Sequence, residues 1–349
     1  IAHTGKIVID YLGAALLAVG LACLVLATSL GGTNGWAWGS AQIISLFTGA
    51  AVFLTAFIFA ERRAVDPMLP PRFFRSSIFN VISILFLLFG MAFFGAIIYI
   101  PTFAQLVLDY NATESGIILL PMVIGLTVGS IAVGQIVNKT GKYKVFIVAG
   151  LLIATIGVFT LTGLNTSSSH WDLNWRMALA GLGLGMAMPI FSLAVQNALP
   201  QKDLGAATSS IQLFRSIGGT VGLAIMGGLL NNFLAERLKG VSNEPFVRMA
   251  EASGQGAQFS NIDANGLQRI ISPEAQQAIQ GQLHQLPQQA QQPALDSFGH
   301  FVHTLQTALA SSITEVFMIS AGVMAVAFLI SFAVKELPLK HHSQVSTGE

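Results

Sequence analysis

Residues 76–108 read SSIFNVISILFLLFGMAFFGAIIYIPTFAQLVL, a run of thirty-three residues without a single Asp, Glu, Lys or Arg. A bilayer core about 30 Å thick requires roughly 20 apolar residues of helix to cross it. A charge at the centre of the bilayer costs at least about 2.5 kcal/mol, and similar charge-free runs recur along the chain. The sequence therefore predicts an all-α integral membrane protein.

The overall composition supports this prediction. Hydrophobic residues make up 53% of the chain and charged residues 9%, with a mean hydropathy of +0.67, whereas soluble domains carry about 25% charged residues. The 35 glycines suit helices that pack closely in lipid. A net charge of +1 indicates no nucleic-acid partner, and the single Cys23 excludes an intrachain disulfide. Because the chain enters a span directly from Ile1, we expect it to be a fragment of a longer polypeptide.

The apolar runs between charged or Pro/Gly-rich breaks predict eight membrane-spanning helices. Their approximate bounds are 8–30, 40–60, 78–104, 114–137, 145–164, 175–197, 205–231 and 308–334. A different kind of segment, residues 232–306, is long, polar and Gln-rich. Its apolar residues Ile271, Ala275, Ile279 and Leu283 recur at helical spacing, which predicts a short helical cap with a Pro/Gln-rich tip.

The distribution of Lys and Arg predicts the orientation, because short cytoplasmic loops are enriched in both. If every span crosses, the basic residues at the loops and ends fall mainly on one side. They are Lys6, Arg62, Arg63, Arg72, Arg75, Lys139, Lys142, Lys144, Lys202, Lys335 and Lys340. This predicts a multi-pass membrane protein with both ends in the cytoplasm. Residues 66–77 are then a cytoplasmic link, 232–306 an extracytoplasmic loop and 335–349 a cytoplasmic tail.

Four passages punctuate the spans. The first, IYIPTFAQLVLDYNATESGIILLP at 98–121, contains Pro101 and ends at Pro121. Both prolines are expected to kink helices and free carbonyls. A basic turn, GQIVNKTGKYK, occupies 134–144. The passages GLGLGMAMP at 181–189 and RSIGGTVGLAIMGG at 215–228 contain small residues four apart, which predict close helix contacts.

In this order the passages resemble the C-terminal portion of the fourteen-span drug:proton antiporters of the major facilitator superfamily, the QacA/EmrB type. The resemblance covers nearly the whole chain. It implies that 1–65 are two extra linker helices and that 78–334 form the six-helix C-terminal half-bundle. ERRAVDPMLPPRFFR, at 61–75, is similar to the family's cytoplasmic link.

The basic turn is similar to the second-half copy of the superfamily's loop motif, G-x-x-x-D-R-x-G-R/K. Gly134, Gly141 and Lys142 match it, Lys139 replaces the Arg, and Asn138 stands at the Asp position. The small residues Gly218, Gly219 and Gly222 are expected to pack helices together.

The resemblance implies an alternating-access exporter in which an inward proton gradient drives amphipathic compounds outward. Its partners would be the lipid bilayer, small amphipathic substrates, protons, and the missing N-terminal half of the same polypeptide. The long loop is a candidate docking site for a periplasmic adaptor. The resemblance also implies that spans three to five superpose on spans six to eight by rotation about an axis in the membrane plane. No cofactor is expected.

Charges within the predicted spans are few. Arg215 lies about 15 Å into its helix, so it is either a cavity-lining cation or a structural tie to backbone carbonyls. No carboxylate lies at a similar depth, and Glu315 falls near the outer surface. We therefore expect the proton-coupling carboxylate to belong to the missing half.

Polar residues within the spans are candidates for a substrate path, although each could instead bond a neighbouring helix. They are Tyr99, Gln105, Gln196, Asn197 and Gln212, together with Arg215. The apolar residues that could line an adaptable cavity are Phe93, Phe94, Met122, Met186 and Met188, although such residues are often ordinary packing.

Other functions remain open from the residues alone. The same scaffold could export a siderophore, a lipid or a metabolite. A membrane-bound transferase would require a catalytic cluster, and the nearest approach, His170 with Asp172, matches no motif. A channel would require a repeated selectivity element, which the sequence lacks. His300 and His303 lie one helical turn apart without a third ligand nearby, so we assign no metal site.

Overall fold

The computed structural model describes residues 10–31, 36, 39–64, 67, 69–252, 264–285 and 287–338. Within these ranges eight helical segments are long and apolar enough to cross a membrane. They coincide with the eight predicted spans, so the prediction of an all-α membrane fold is confirmed. Lys6, Lys340 and the tail beyond residue 338 lie outside the described residues.

The described helices follow one another along the chain, with short 3₁₀ turns at Pro71–Arg75, Gln201–Asp203 and Val241–Asn243. They are α1 (Tyr11–Leu30), α2 (Ala41–Arg63), α3 (Ser77–Ile97), α4 (Tyr99–Leu106), α5 (Ala112–Ile117), α6 (Leu120–Thr140), α7 (Lys144–Leu161), α8 (His170–Ala198), α9 (Leu204–Arg237), α10 (Pro245–Ala252), α11 (Ala264–Ile271), α12 (Pro273–Leu283) and α13 (Gln288–Ser331).

Side-chain caps mark several helix starts. Asp10, Ser40 and Ser76 accept hydrogen bonds from backbone N–H groups in the first turns of α1, α2 and α3. Asn111 and Ser169 form capping boxes with acidic residues three positions further along. These caps satisfy N–H groups that a helix end otherwise leaves without a partner.

Proline affects the third and fourth spans differently. The third span is interrupted at Ile98, between α3 and α4, three residues before Pro101. Proline has no N–H to bond the carbonyl four residues earlier, which here is that of Ile97, next to the break. The kink expected at Pro101 stays a prediction. Pro121 instead lies in the first turn of α6, where a missing N–H costs nothing.

Two helices extend far beyond a bilayer. The predicted seventh span ended at residue 231 and the eighth began at 308, but α9 continues to Arg237 and α13 begins at Gln288. At 1.5 Å per residue, α13 is about 66 Å long, more than twice the hydrocarbon thickness. The predicted spans therefore mark only part of each helix, because hydropathy identifies the residues suited to lipid, and polar residues can continue the same helix into water.

A helical cap covers the start of α13, as the apolar spacing in 232–306 predicted. The ring of Phe246 on α10 lies 5.0 Å from the ring of Phe298 and 5.3 Å from that of Phe301 on α13. Gln306 and the cap residue Gln276 both donate to Asp109 Oδ1, at 3.1 and 3.2 Å. The cap is therefore tied to the loop after α4.

The six helical spans after the link pair reciprocally. Helix α3 lies along α9 and α6 lies along α8, while α7 packs on α8 and α13 contacts both α3 and α7. If α3, α6 and α7 form one repeat and α8, α9 and α13 form the other, the first helix of each repeat packs on the second helix of the other. An inverted repeat requires this pattern.

Glycine allows the two main pairs to approach closely. A Cβ on Gly185 of α8 would clash with the carbonyl oxygen of Leu126 on α6. A Cβ on Gly218 of α9 would clash in the same way with the carbonyl oxygen of Leu87 on α3. Helices in lipid associate through such close packing, because burying apolar side chains away from lipid gains little.

The first two spans form a separate hairpin. Helix α1 packs on α2 and on α9, and both hairpin helices leave most of their surface exposed. Lipid covers such apolar surface at no cost, so this exposure is that of helices at the periphery of a membrane bundle.

Candidate functional site

Two predicted path residues lie at the end of the bundle that carries α4 and α5. Tyr99 is buried in α4, with its hydroxyl oxygen 3.3 Å from the position that a Cβ on Gly227 would take. Gln105 Nε2 donates to Ser115 Oγ at 2.7 Å, which joins α4 to α5. Gln105 therefore joins two helices at this end, and Tyr99 packs close to Gly227 of α9.

Two more lie at the C-terminal end of α8. Gln196 is exposed and its Nε2 donates to Thr208 Oγ1 on α9 at 3.3 Å. Asn197 is buried, and its Nδ2 donates to the carbonyl oxygen of Pro338 at 3.1 Å. Gln196 therefore connects α8 to α9, whereas Asn197 holds the segment after α13.

A polar face runs along the middle of α9. Ser209, Ser216 and Thr220 are exposed at spacings of seven and four residues, and Gln212 lies between the two serines on the same side. We call these four residues the α9 polar face. A helix surface that met only lipid would be apolar, as is the exposed surface of α6 at Ile124, which faces away from the bundle core.

Arg215 lies beside the α9 polar face, about 16 Å along the helix from Leu204. Its Nε is buried without a hydrogen-bond partner among the described residues. Gln212 Oε1 is also buried and has no partner among them. The guanidinium forms no ion pair with any carboxylate in the described ranges. At this depth an arginine must meet water, protein dipoles or an anion, because lipid cannot solvate it.

Ser83 is a polar residue of this region that the sequence analysis did not select. It is 3% exposed on α3, and its hydroxyl oxygen has no partner among the described residues. Ser83 precedes Leu87 by one helical turn and shares its α9-facing side. No sequence pattern distinguishes a lone serine within a long apolar run as a binding residue. Its position opposite α9 becomes evident only from the packing of the two helices.

The apolar candidates occupy different places. Phe93 and Met122 border a small cavity of about 10 Å³, which is enclosed entirely by apolar side chains of α3, α4, α6, α7 and α8. That volume admits about one water-sized sphere, whereas ligand pockets measure roughly 300–1,000 Å³. This cavity is a packing defect, too small to hold a drug-sized ligand.

The glycines of the predicted packing face lie at the α3–α9 contact. Gly218 and Gly222 approach the backbone of Leu87 and Met91, and Gly219 faces the ring of Phe94. A side chain at Gly218 or Gly222 would strike backbone atoms, which cannot rotate away.

The residues of the predicted loop motif lie at the end of α6. Gly141 ends this helix with φ +70°, a conformation that favours glycine, and Gly134 faces open space. Lys139 and Lys142 are exposed on either side of the turn. The turn thus has a defined glycine stop flanked by two solvated cations.

Tyr143, next to this turn, was also missed from sequence. Its ring is fully buried; its hydroxyl donates to the carbonyl oxygen of Lys335 at 2.8 Å and accepts from the N–H of Leu337 at 2.9 Å. Burial and the nearby Glu336 carboxylate raise the pKa of Tyr143, although the Leu337 N–H acts in the opposite direction. Lys144 Nζ donates to the carbonyl oxygen of Phe332 at 2.9 Å. Together with Asn197, these contacts fix the segment after α13.

The paired charges lie near helix ends. Arg237, at the end of α9, binds the carboxylate of Glu315 and donates to Ser312 Oγ at 3.2 Å on α13. Arg72 Nη2 and Asp203 Oδ1 are 2.8 Å apart at the opposite end of the bundle, where they join the link to the start of α9. Neither ion pair includes Arg215, which lies in the middle of its span.

The histidines serve local structure. The ring of His170 stacks on Tyr110 at 4.1 Å, and Asp172 caps α8 through Ser169. His300 Nδ1 lies 3.2 Å from Glu244 Oε2. Among the described residues no three His, Cys, Asp or Glu side chains form a group that could hold a metal ion.

These features define a class of protein. Long spanning helices, glycine-lined reciprocal pairs and a polar helix face with a mid-span arginine are the features of a membrane transport bundle built from inverted repeats. The sequence profile of the Major Facilitator Superfamily matches residues 11–223. The chain belongs to the major facilitator superfamily, so the predicted superfamily is confirmed, and a family and fold of transporters exclude the transferase alternative.

Several known proteins are similar to the chain. A multidrug transporter protein of Bacillus subtilis, MdtP, is 35% identical over 97% of this chain and 61% of its own length. An uncharacterised MFS-type transporter of Mycobacterium tuberculosis is 35% identical over 97% of this chain and 44% of its own length. The chain thus spans about half the length of these curated relatives.

The fold also resembles a solved structure. A bacterial homologue of the human lysosomal transporter Spinster, in an inward-facing and occupied conformation, superposes with a TM-score of 0.50 at 12% identity. The match covers 93% of this chain and 66% of that one. At this identity the likeness concerns the fold alone.

Proposed function

We propose that this chain is the C-terminal portion of a fourteen-span drug:proton antiporter of the QacA/EmrB type, which exports amphipathic compounds by alternating access. Residues 1–65 supply the two linker helices, and 78–334 supply the six-helix half-bundle. Both ends lie in the cytoplasm, and the protein resides in the bacterial inner membrane. The motif residues Gly134, Lys139, Gly141 and Lys142 form the cytoplasmic turn of this half.

The observation that carries this proposal is the α9 polar face. It lies on a spanning helix, next to an arginine that binds no carboxylate in the described residues. A second half-bundle packed opposite α9 would enclose this face in a central, hydrated cavity. Gln196, which bonds Thr208 of α9, would lie at the cytoplasmic mouth of that cavity, and Tyr99 at its other end.

The lengths of two relatives support the proposal that this chain is one portion of a longer transporter. The chain covers 44% of the Mycobacterium tuberculosis transporter and 61% of MdtP, which is named a multidrug transporter. A siderophore, lipid or metabolite remains the alternative substrate on the same scaffold, with no observation that favours it. The long extracytoplasmic cap is the surface where a periplasmic adaptor would dock.

Proton coupling requires a carboxylate whose access to the two sides alternates. Glu315 is paired with Arg237, and Asp203 with Arg72, both near helix ends. We therefore assign the coupling carboxylate to the N-terminal half. This chain expressed alone should show no proton-dependent efflux.

The test is efflux of a fluorescent cationic dye and a fluorescent anionic dye from energised vesicles, with and without a protonophore. The full-length polypeptide is compared with this chain at matched, verified membrane insertion. We expect export by the full-length protein that collapses with the proton gradient, and none from the chain alone. Gradient-dependent efflux by the chain alone would contradict the half-transporter proposal. Full-length protein that moves neither dye would favour a narrow-substrate exporter.

A further inference from the structure

Four buried polar atoms without partners among the described residues lie on the facing helices α3 and α9: Asn80 Oδ1, Ser83 Oγ, Gln212 Oε1 and Arg215 Nε. Asn80 belongs to the first turn of α3, where its Nδ2 donates to the carbonyl oxygen of Phe74. The other three groups, Ser83, Gln212 and Arg215, lie further along the helices. A polar group buried without a hydrogen bond costs free energy, and in a membrane the cost is several kcal/mol for each group. Three such groups together indicate that a ligand or another part of the protein normally satisfies them.

The helix register places the three groups at one level. The carbonyl oxygen of Arg215 closely approaches Gly90, and that of Leu87 closely approaches Gly218, so the two helices run in parallel with a fixed offset. The same offset brings Ser83 level with Gln212, one turn nearer the cytoplasm. Long side chains on a helix lean towards its N-terminus, which carries the Arg215 guanidinium down towards that level.

The chemistry of this cluster favours an anion. Arg215 is permanently charged and has five N–H donors, and the Ser83 hydroxyl is a further donor. The Gln212 amide forms no hydrogen bond with the described residues, so it can rotate to present its NH₂ group. No carboxylate of the described chain pairs with Arg215, and its closest ionic neighbours are at the helix ends.

We propose that Arg215, Gln212 and Ser83 form a subsite for the oxyanion of the transported compound, so that carboxylate-bearing amphiphiles are preferred over organic cations. The subsite opens onto the α9 polar face, where the apolar part of the compound meets the cavity. The identification of the bound anion as a transported substrate rests on the transport function proposed above. The binding chemistry of the subsite does not depend on proton coupling.

The test uses two probes with the same ring system, 2-naphthoate and 2-naphthylmethylammonium. Binding to the full chain in phosphatidylcholine nanodiscs is measured by isothermal titration calorimetry, without any gradient. We expect 2-naphthoate to bind at least tenfold more tightly than the ammonium probe. Arg215→Gln should weaken naphthoate binding at least tenfold, because a charge-assisted hydrogen bond is lost. Arg215→Lys should recover part of that loss.

The matched control is Arg75→Gln, which removes one exposed cation from the cytoplasmic link and should leave binding unchanged. Helicity and elution volume must equal those of the wild type for every variant. Equal binding of the two probes, no measurable naphthoate binding, or an Arg215→Gln variant that binds like the wild type would each overturn the proposal.

A second arm identifies the source of the anion. Naphthoate binding is repeated on the full-length polypeptide, where an internal carboxylate could occupy the site. Similar affinity in both proteins supports a substrate anion, and loss of binding in the full-length protein overturns that assignment. Because no transport is measured, dye efflux can fail while this subsite stands, and the reverse also holds.

Discussion

Tyr143 shows how a single side chain fixes the end of the bundle where α7 begins. Its hydroxyl satisfies one backbone acceptor and one backbone donor of the segment after α13, nearly 200 residues away in the sequence. The ring is fully buried, whereas the two residues whose backbone it binds, Lys335 and Leu337, are exposed. Because burial raises the pKa of Tyr143, the hydroxyl remains a neutral donor throughout the physiological pH range.

We expect Tyr143→Phe to lower the free energy of unfolding by about 1–2 kcal/mol, because two hydrogen bonds to the segment after α13 are lost. The variant should also be cut more rapidly by protease after residue 332, as seen by mass spectrometry. Tyr11→Phe is the control, since Tyr11 is 74% exposed and should tolerate the change. Equal stability and equal proteolysis in the two variants would show that the tail is not held by this hydroxyl.

The stabilising effect of Tyr143 also has a pH direction. Its pKa is raised on folding, so the contribution is complete below the ordinary tyrosine pKa of 10.0 and declines as the pH rises through the higher folded value. No dependence on this group is expected near neutral pH.

At the scale of elements, the α3–α9 contact depends on which glycines face backbone atoms. A Cβ on Gly218 would strike the Leu87 carbonyl, whereas a Cβ on Gly219 would strike the ring of Phe94. A ring can rotate or shift, but a helix backbone can move only if the whole helix moves. Sequence spacing alone treated these glycines as equivalent.

We expect Gly218→Ala to destabilise the protein by about 1–3 kcal/mol through overpacking, and Gly219→Ala to have a smaller effect. Gly205→Ala, in the same helix but facing open space, should be neutral or slightly stabilising. Thermal unfolding in nanodiscs measures all three variants. If Gly218→Ala were as stable as Gly205→Ala, the close contact between α3 and α9 would be refuted.

At the scale of the whole molecule, the reciprocal helix pairs are the pattern expected of two inverted repeats. Superposition of α3, α6 and α7 on α8, α9 and α13 about an in-plane axis remains a prediction. The proposed topology also places the cap of α10, α11 and α12 outside the cell, and the link and the turn before α9 inside.

The topology can be measured by cysteine labelling in a Cys23→Ser background, because the chain has no other cysteine. Gln282→Cys in the cap and Lys202→Cys before α9 both introduce exposed positions. A membrane-impermeant maleimide should label Gln282→Cys in spheroplasts, and Lys202→Cys only after permeabilisation. The opposite pattern would reverse the assigned orientation.

The amino-acid sequence by itself determined the membrane class, the eight spans and the superfamily, because charge-free runs and motif order are local properties. It also identified Arg215 as a deep cation. The tertiary structure alone decided which helices pair, that α9 and α13 extend beyond the bilayer, and that Ser83 and Tyr143 matter. Those features depend on contacts between residues far apart in the chain, and neither hydropathy nor spacing records which helix will be the neighbour.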